Sequence, residues 1–232
     1  MSGKFSFTFN LGGKAAAAPL APAKAAAPTV VPVLKSHDLF PTRIWQAQLD
    51  ALDPYRESWV KTVLAMRAAH PNPAGRTIRQ GWNSEDMQVL EQAEFAPLRE
   101  AIHAACTEAL GEMGQGGRAF YLQSWINLHD RGGFNFLHMH EGSLLSGSFY
   151  LQVPAGAGEF VFRDPRAGVV HGYVKGGVPN GHADVHLRPS DGLLVLFPCW
   201  MEHYVEPHDA DEPRITLAFN ANPVDPEAAG KR

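Results

Sequence analysis

The sequence predicts a mostly β domain of the α+β class, with N-terminal helices ahead of a sandwich, jelly roll or barrel. Three observations carry this. Apolar residues recur at helical spacing over 54–69 and again over about 95–113. After Gly117 the period falls to two, in short runs punctuated by Gly and Pro. Helices first and strands afterwards make the helices a buttress on one side of the β-unit.

The elements follow in order. Residues 1–35 are expected to form a flexible tail. Within it, residues 15–32 hold nine Ala and four Pro, a composition that buries little and interrupts any helix. Phe5-Ser6-Phe7-Thr8-Phe9 alternates like a strand or docking peptide, although a disordered start is the plainer expectation. No apolar stretch of signal-peptide length follows the first Lys. From 36 to 226 the pattern reads as one domain. Ile44–Leu49 is a short strand. The first helix has Pro54 in its first turn and Trp59, Val60, Val63, Leu64 and Met66 at helical spacing. The second carries Leu98, Ile102, Ala105, Cys106 and Leu110 on one face, which makes Cys106 a core thiol. Strands are predicted near 120–129, 134–140, 144–153, 158–163, 169–174, 184–188, 192–197, 203–206 and 213–221.

Composition narrows the function. The chain has 232 residues, 45% of them hydrophobic, enough for a real core. Twenty Lys and Arg stand against 24 Asp and Glu, with no basic run, which argues against a nucleic-acid partner. The longest apolar run, Leu193–Phe197, is far short of a membrane span. Two distant cysteines, Cys106 and Cys199, form no disulfide framework and fit a reducing cytoplasm. Nothing in the sequence argues for a homo-oligomer. The unusual count is His, at 11.

Alternation shows which strands have a polar face. In Arg214–Asn220 the even positions are Arg, Thr, Ala and Asn, and the odd ones Ile, Leu and Phe. Ser146, Ser148 and Tyr150 share one face of their strand, Leu145, Phe149 and Leu151 the other. Phe134, Phe136, His138 and His140 are expected to share a side. Such faces can look at water, or converge inside a β-barrel mouth where ligands bind. His138-Met139-His140 places two imidazoles on one strand face, able to hold one Fe, Mn, Zn or Ni ion. His203, just past the apolar strand Leu193–Phe197, is the best third ligand, and His129 the spare.

Ser124-Trp125-Ile126-Asn127, Gly132-Gly133-Phe134-Asn135, His138-Met139-His140-Glu141-Gly142-Ser143 and Leu145–Leu151 together resemble the Fe(II)/2-oxoglutarate-dependent oxygenases, prolyl-hydroxylase-like and of a His-x-His subgroup. So do Pro189–Gly192, Phe197–His203, Arg214-Ile215-Thr216 and Asn220. The resemblance covers about 120–222 and implies a double-stranded β-helix (jelly-roll) core with iron at its open end. It implies His138, His140 and His203 as iron ligands, His140 standing where most relatives have Asp or Glu. Glu141 or another carboxylate is the alternative second ligand, less favoured because adjacent strand residues face opposite ways. It implies Arg214 and Thr216 as partners of the distal carboxylate of 2-oxoglutarate, with Tyr150 and Asn127 in the same pocket.

The function so implied is an Fe(II)- and 2-oxoglutarate-dependent dioxygenase. It would consume O2, hydroxylate a small-molecule or peptide substrate, and release succinate and CO2. No residue beyond the metal site is assigned a catalytic role, and the substrate is not legible. The 163–191 insertion reads equally as a lid or as a passive loop. Two other readings stay open: a cupin-type metal-dependent enzyme, which would not need the Arg-x-Thr pair, and a non-catalytic, metal-containing binding barrel.

Overall fold

The computed structural model describes residues 33–35, 40–71, 76–84, 88–168 and 183–224. The Phe5–Phe9 patch, the 15–32 segment, the expected 169–174 strand, most of the expected lid, and His37, His171 and His182 lie outside the described residues. Two units separate along the chain, Met1–Pro41 and Thr42–Arg232, and every element named below belongs to the second.

In chain order the elements are β1 (Trp45–Gln48), α1 (Asp53–Ala69), β2 (Ile78–Asn83), α2 (Ala96–Glu112), β3 (Phe120–His138), β4 (Leu145–Gln152), β5 (Phe160–Arg163), β6 (Asp184–Leu187), β7 (Leu193–Pro198), β8 (His203–Val205) and β9 (Arg214–Pro223). Both helices carry Pro in the first turn, where the missing N–H costs nothing. α1 buries Trp59 and Val63. α2 buries Leu98, Ile102, Cys106, Ala109 and Leu110. These side chains join one cluster with Leu145, Phe149 and Leu151 of β4 and Ile215, Leu217 and Phe219 of β9. The apolar halves of those two alternating strands therefore face the helices. Burial drives the Cys106 thiol up to about 12, so it is an inert core group.

The sheet is antiparallel, in the order β1-β7-β4-β9-β3-β8-β5-β6, with β2 pairing β3 off this path. Two separate strands were expected over 120–140; one strand, Phe120–His138, runs through. Its first half pairs with β9 and its last residues pair with β8. Between them lies Gly132-Gly133, with Gly132 at φ 80°, a backbone region open to glycine. β3 thereby passes from one half of the sheet to the other. A second, smaller cluster gathers Tyr150 of β4, Phe160 and Phe162 of β5, and Val195 and Phe197 of β7.

β2 is not legible from alternation. Its register on β3 shifts between Arg79 and Gly81, and Gln80 at the shift has φ 45°. An interrupted strand leaves no clean period of two.

Candidate functional site

A cavity of about 210 Å³ opens between the two halves of the sheet. The first four even positions of β9, Arg214, Thr216, Ala218 and Asn220, line it, while Ile215, Leu217 and Phe219 sit in the helix-side core. Ser148 of β4 lines it from the next strand, and Asn127 and Trp125 of β3 from the other side. The polar faces read from the alternation thus converge on an interior.

At the mouth stand His138, His140 and His203, whose ligating nitrogens all lie within 4.8 Å of one another. Ring centroids are 5.1 Å apart for His138–His140, 4.3 Å for His138–His203 and 5.2 Å for His140–His203. His138 Nδ1 is 2.6 Å from the Phe136 carbonyl, and His203 Nδ1 is 2.8 Å from that of Met201. A carbonyl only accepts, so each Nδ1 carries the hydrogen and each Nε2 keeps its lone pair. Backbone bonds of this kind fix ring orientation in metal sites. His140 is held from its backbone, which donates to Cys199 O at 2.9 Å.

Burial lowers all three imidazoles, His140 to about 4 and His203 well below its ordinary value, with the His138 charge adding to both. They are neutral at pH 7, which is the ligating form. Phe160 and Phe197 pack on the His203 ring at 5.1 and 4.7 Å and close that side. Glu141 is exposed and outside the histidine group. A second group, Glu159, His186 and Glu206, lies elsewhere, and Arg188 bonds Glu159 at 3.0 Å.

Deeper in, Arg214 is 1% exposed. Its Cζ lies 5.1 Å from the centre of the Tyr150 ring. Its Nε and Nη2, and the Tyr150 hydroxyl, are buried with no hydrogen-bond partner among the described residues. No Asp or Glu among them pairs with this guanidinium, so it is not half of an internal salt bridge. Burial lowers the Arg214 pKa and raises that of Tyr150 to about 12. A buried, unsatisfied guanidinium is costly and calls for an anion from outside the chain. Thr216 Oγ1 donates to the Asn127 carbonyl at 3.4 Å. Tyr150 itself does not line the cavity; it lies behind the wall, against Arg214.

Two features escape strand periodicity. The β3–β8 register shifts between Asn135 and His138, so Asn135, not Phe134 or Phe136, shares the cavity with His138. The expected common side of Phe134, Phe136, His138 and His140 is corrected by this irregularity: Phe136 is 44% exposed and its ring packs on Phe134 at 5.2 Å. His129, the spare ligand by sequence, is fully buried away from the triad, with Nε2 2.6 Å from Asn135 Oδ1. Asn135 Nδ2 in turn donates to Thr77 Oγ1 at 2.9 Å. Only the pairing of β2 with β3 assembles this chain of bonds.

Residues 123–220 match the model of a family described as "Putative 2OG-Fe(II) oxygenase". That span contains the three histidines, Arg214 and every polar position of the β9 wall. Over that span the chain is similar to the 2OG-Fe(II) oxygenase family.

No curated protein is significantly similar in sequence. Among solved structures, a Pseudomonas putida prolyl-4-hydroxylase is 20% identical with TM-score 0.56, over 79% of this chain and 94% of that one. A Trichoplax adhaerens prolyl hydroxylase, solved with a hypoxia-inducible-factor peptide fragment, is 14% identical with TM-score 0.58, over 82% and 87%. HygX from Streptomyces hygroscopicus, solved with nickel and 2-oxoglutarate, is 12% identical with TM-score 0.54, over 79% and 83%. At these identities the likeness is one of fold, the jelly-roll double-stranded β-helix, here with two helices against it. The matched family is one of oxidoreductases that work with Fe(II) and 2-oxoglutarate. No helix among the described residues is long and apolar enough to cross a membrane.

Proposed function

We propose that this oxygenase holds Fe(II) through His138, His140 and His203, and 2-oxoglutarate through Arg214, with Thr216, Tyr150 and Asn127 around it. One observation carries the reading: a buried guanidinium with unpartnered Nε and Nη2 lines the same cavity as three convergent neutral imidazoles. A planar fork suits the far carboxylate of a five-carbon diacid. Tyr150 sets the depth of that fork from behind, and the Thr216 hydroxyl lies one strand step further along the wall. Phe160, Phe197 and Val205 keep water from the opposite side. Bound iron would supply O2 activation coupled to decarboxylation of 2-oxoglutarate to succinate, and with it hydroxylation of a C–H bond. The chain's own part is to bind, orient and exclude water.

The cupin-type reading leaves Arg214 unexplained, because a cupin site asks for no buried cation behind the metal. The substrate is a small molecule or a peptide, as for the peptide-bound relative. We take residues 36–226 as one oxygenase domain behind a tether at 1–35. We place the protein in the cytoplasm, since Cys106 and Cys199 are both free thiols. The test is succinate formation from 2-oxoglutarate by the Fe(II)-loaded protein in air. Absence of succinate, together with no anaerobic binding of 2-oxoglutarate, would overturn the reading.

A further inference from the structure

The cavity wall beyond the Arg214 end is built of hydrogen-bond donors. Five carboxamides line the cavity, and the three that stand along this wall on β3 and β9 each have their oxygen already taken. Asn127 Oδ1 accepts from Asn83 Nδ2 at 2.7 Å, Gln123 Oε1 from Asn222 Nδ2 at 3.2 Å, and Asn220 Oδ1 from the Ser146 hydroxyl at 2.8 Å. The NH2 group of each has no partner among the described residues. Trp125, between Gln123 and Asn127 on the same strand face, adds an indole N–H, a group that can only donate.

The register arranges these donors in tiers. Asn127 faces Thr216, Trp125 faces the small Ala218, and Gln123 faces Asn220. The Gln123–Asn220 tier lies four residues along the strands from Asn127–Thr216, about 13 Å at ~3.3 Å per residue. It is therefore remote from Arg214. Trp125, the step between, lies 5.7 Å from the His140 ring, so this far wall adjoins the metal centre.

Charge points the same way. Three neutral imidazoles bring no negative charge to an iron, and no Asp or Glu is among the described residues lining the cavity. Two positive charges on Fe(II) and one on Arg214, against two negative charges on 2-oxoglutarate, leave the cavity net positive, and the exposed Arg76 is a further cation in its lining. A wall of donors and a net positive charge select the same ligand.

We infer that the primary substrate bears a carboxylate, received by the NH2 groups of Gln123 and Asn220 with the Trp125 N–H beside them, and that the oxidised carbon lies between this tier and the three histidines. The inference rests on the assignment of iron to the histidines and of 2-oxoglutarate to Arg214. It separates two kinds of substrate: a molecule or peptide end with a free carboxylate fits, and one whose acid is capped as an amide does not.

The test uses the full chain loaded with Fe(II) and 2-oxoglutarate and kept anaerobic. Ligand-observed NMR is run against a panel of small carboxylic acids, each paired with its own methyl amide. Binders are expected among the acids, each at least tenfold tighter than its amide. Gln123→Glu and Asn220→Asp, which turn donors into acceptors, should each weaken those acids at least tenfold while leaving 2-oxoglutarate affinity unchanged. Binding by amides as often as by acids, no binder among the acids, or acid binding that survives both substitutions would overturn the inference. The acid–amide comparison on the unaltered protein decides it even if a variant does not fold. Failure of 2-oxoglutarate to bind the unaltered protein is a different result, and it strikes the underlying assignment instead.

Discussion

His129 of β3 lies directly across the sheet from Arg214 of β9. The histidine spends its Nε2 hydrogen on Asn135 Oδ1, so its bare Nδ1 and the guanidinium Nε and Nη2 are all buried without partners. The two side chains also act on each other electrically. Burial first, and then the Arg214 and His208 charges, hold the His129 pKa at about 3 despite the opposing bond to Asn135. A neutral imidazole beside the cation leaves the Arg214 charge intact for an anion.

That depressed pKa gives a stability prediction with a definite sign. The unfolded chain binds a proton at position 129 below about pH 6.5, and the folded chain does so only near pH 3. The stabilisation is complete above pH 6.5 and is lost as pH falls toward 3, at about 1.4 kcal/mol per unit. Between pH 7 and pH 5 His129→Gln should lose about 2 kcal/mol less than wild type. Urea denaturation at the two pH values checks this, and equal losses would refute it.

Arg214→Ala should raise the 2-oxoglutarate dissociation constant ten- to hundredfold, the usual weight of a charged hydrogen bond of about 1.5–3 kcal/mol. Arg214→Lys should be nearly as damaging, because a point charge cannot reproduce the planar fork. Iron affinity should barely move. Anaerobic titration of the Fe(II) protein measures both constants.

His138→Ala and His203→Ala should each abolish stable iron binding, since each removes one of three convergent nitrogens. His140→Asp should keep iron, because it supplies an anionic oxygen at the same strand position. Metal content after desalting is the readout. Full occupancy in His203→Ala would end the three-histidine assignment.

Gly147→Ala tests the packing between the sheet and the helices. A Cβ there would meet the Val195 carbonyl oxygen at 2.6 Å and a ring carbon of Phe219 at 2.9 Å. Both neighbours are buried and cannot withdraw, so about 1–3 kcal/mol of stability should be lost. At about 2–4 °C per kcal/mol, thermal unfolding should fall by several degrees. An unchanged Tm would show that the strand can shift.

Much of this is legible in the sequence. A strict period of two in Arg214–Asn220 determined that Arg214, Thr216, Ala218 and Asn220 share a wall and that Ile215, Leu217 and Phe219 face a core, because successive strand side chains point to opposite sides. The same rule put His138 and His140 together, and helical spacing marked Trp59, Leu98 and Cys106 as core. What alternation cannot carry is a break in register. The shift between Asn135 and His138, the interrupted pairing of β2, and the passage of β3 through Gly132-Gly133 each depend on which strand lies alongside. Only the assembled sheet therefore brought Asn135 into the cavity, turned Phe136 out of it, set His129 against Arg214 and left the amides of Gln123 and Asn220 facing one another. Side-chain identity decides what a residue can bond, but pairing between segments distant in sequence decides what it meets.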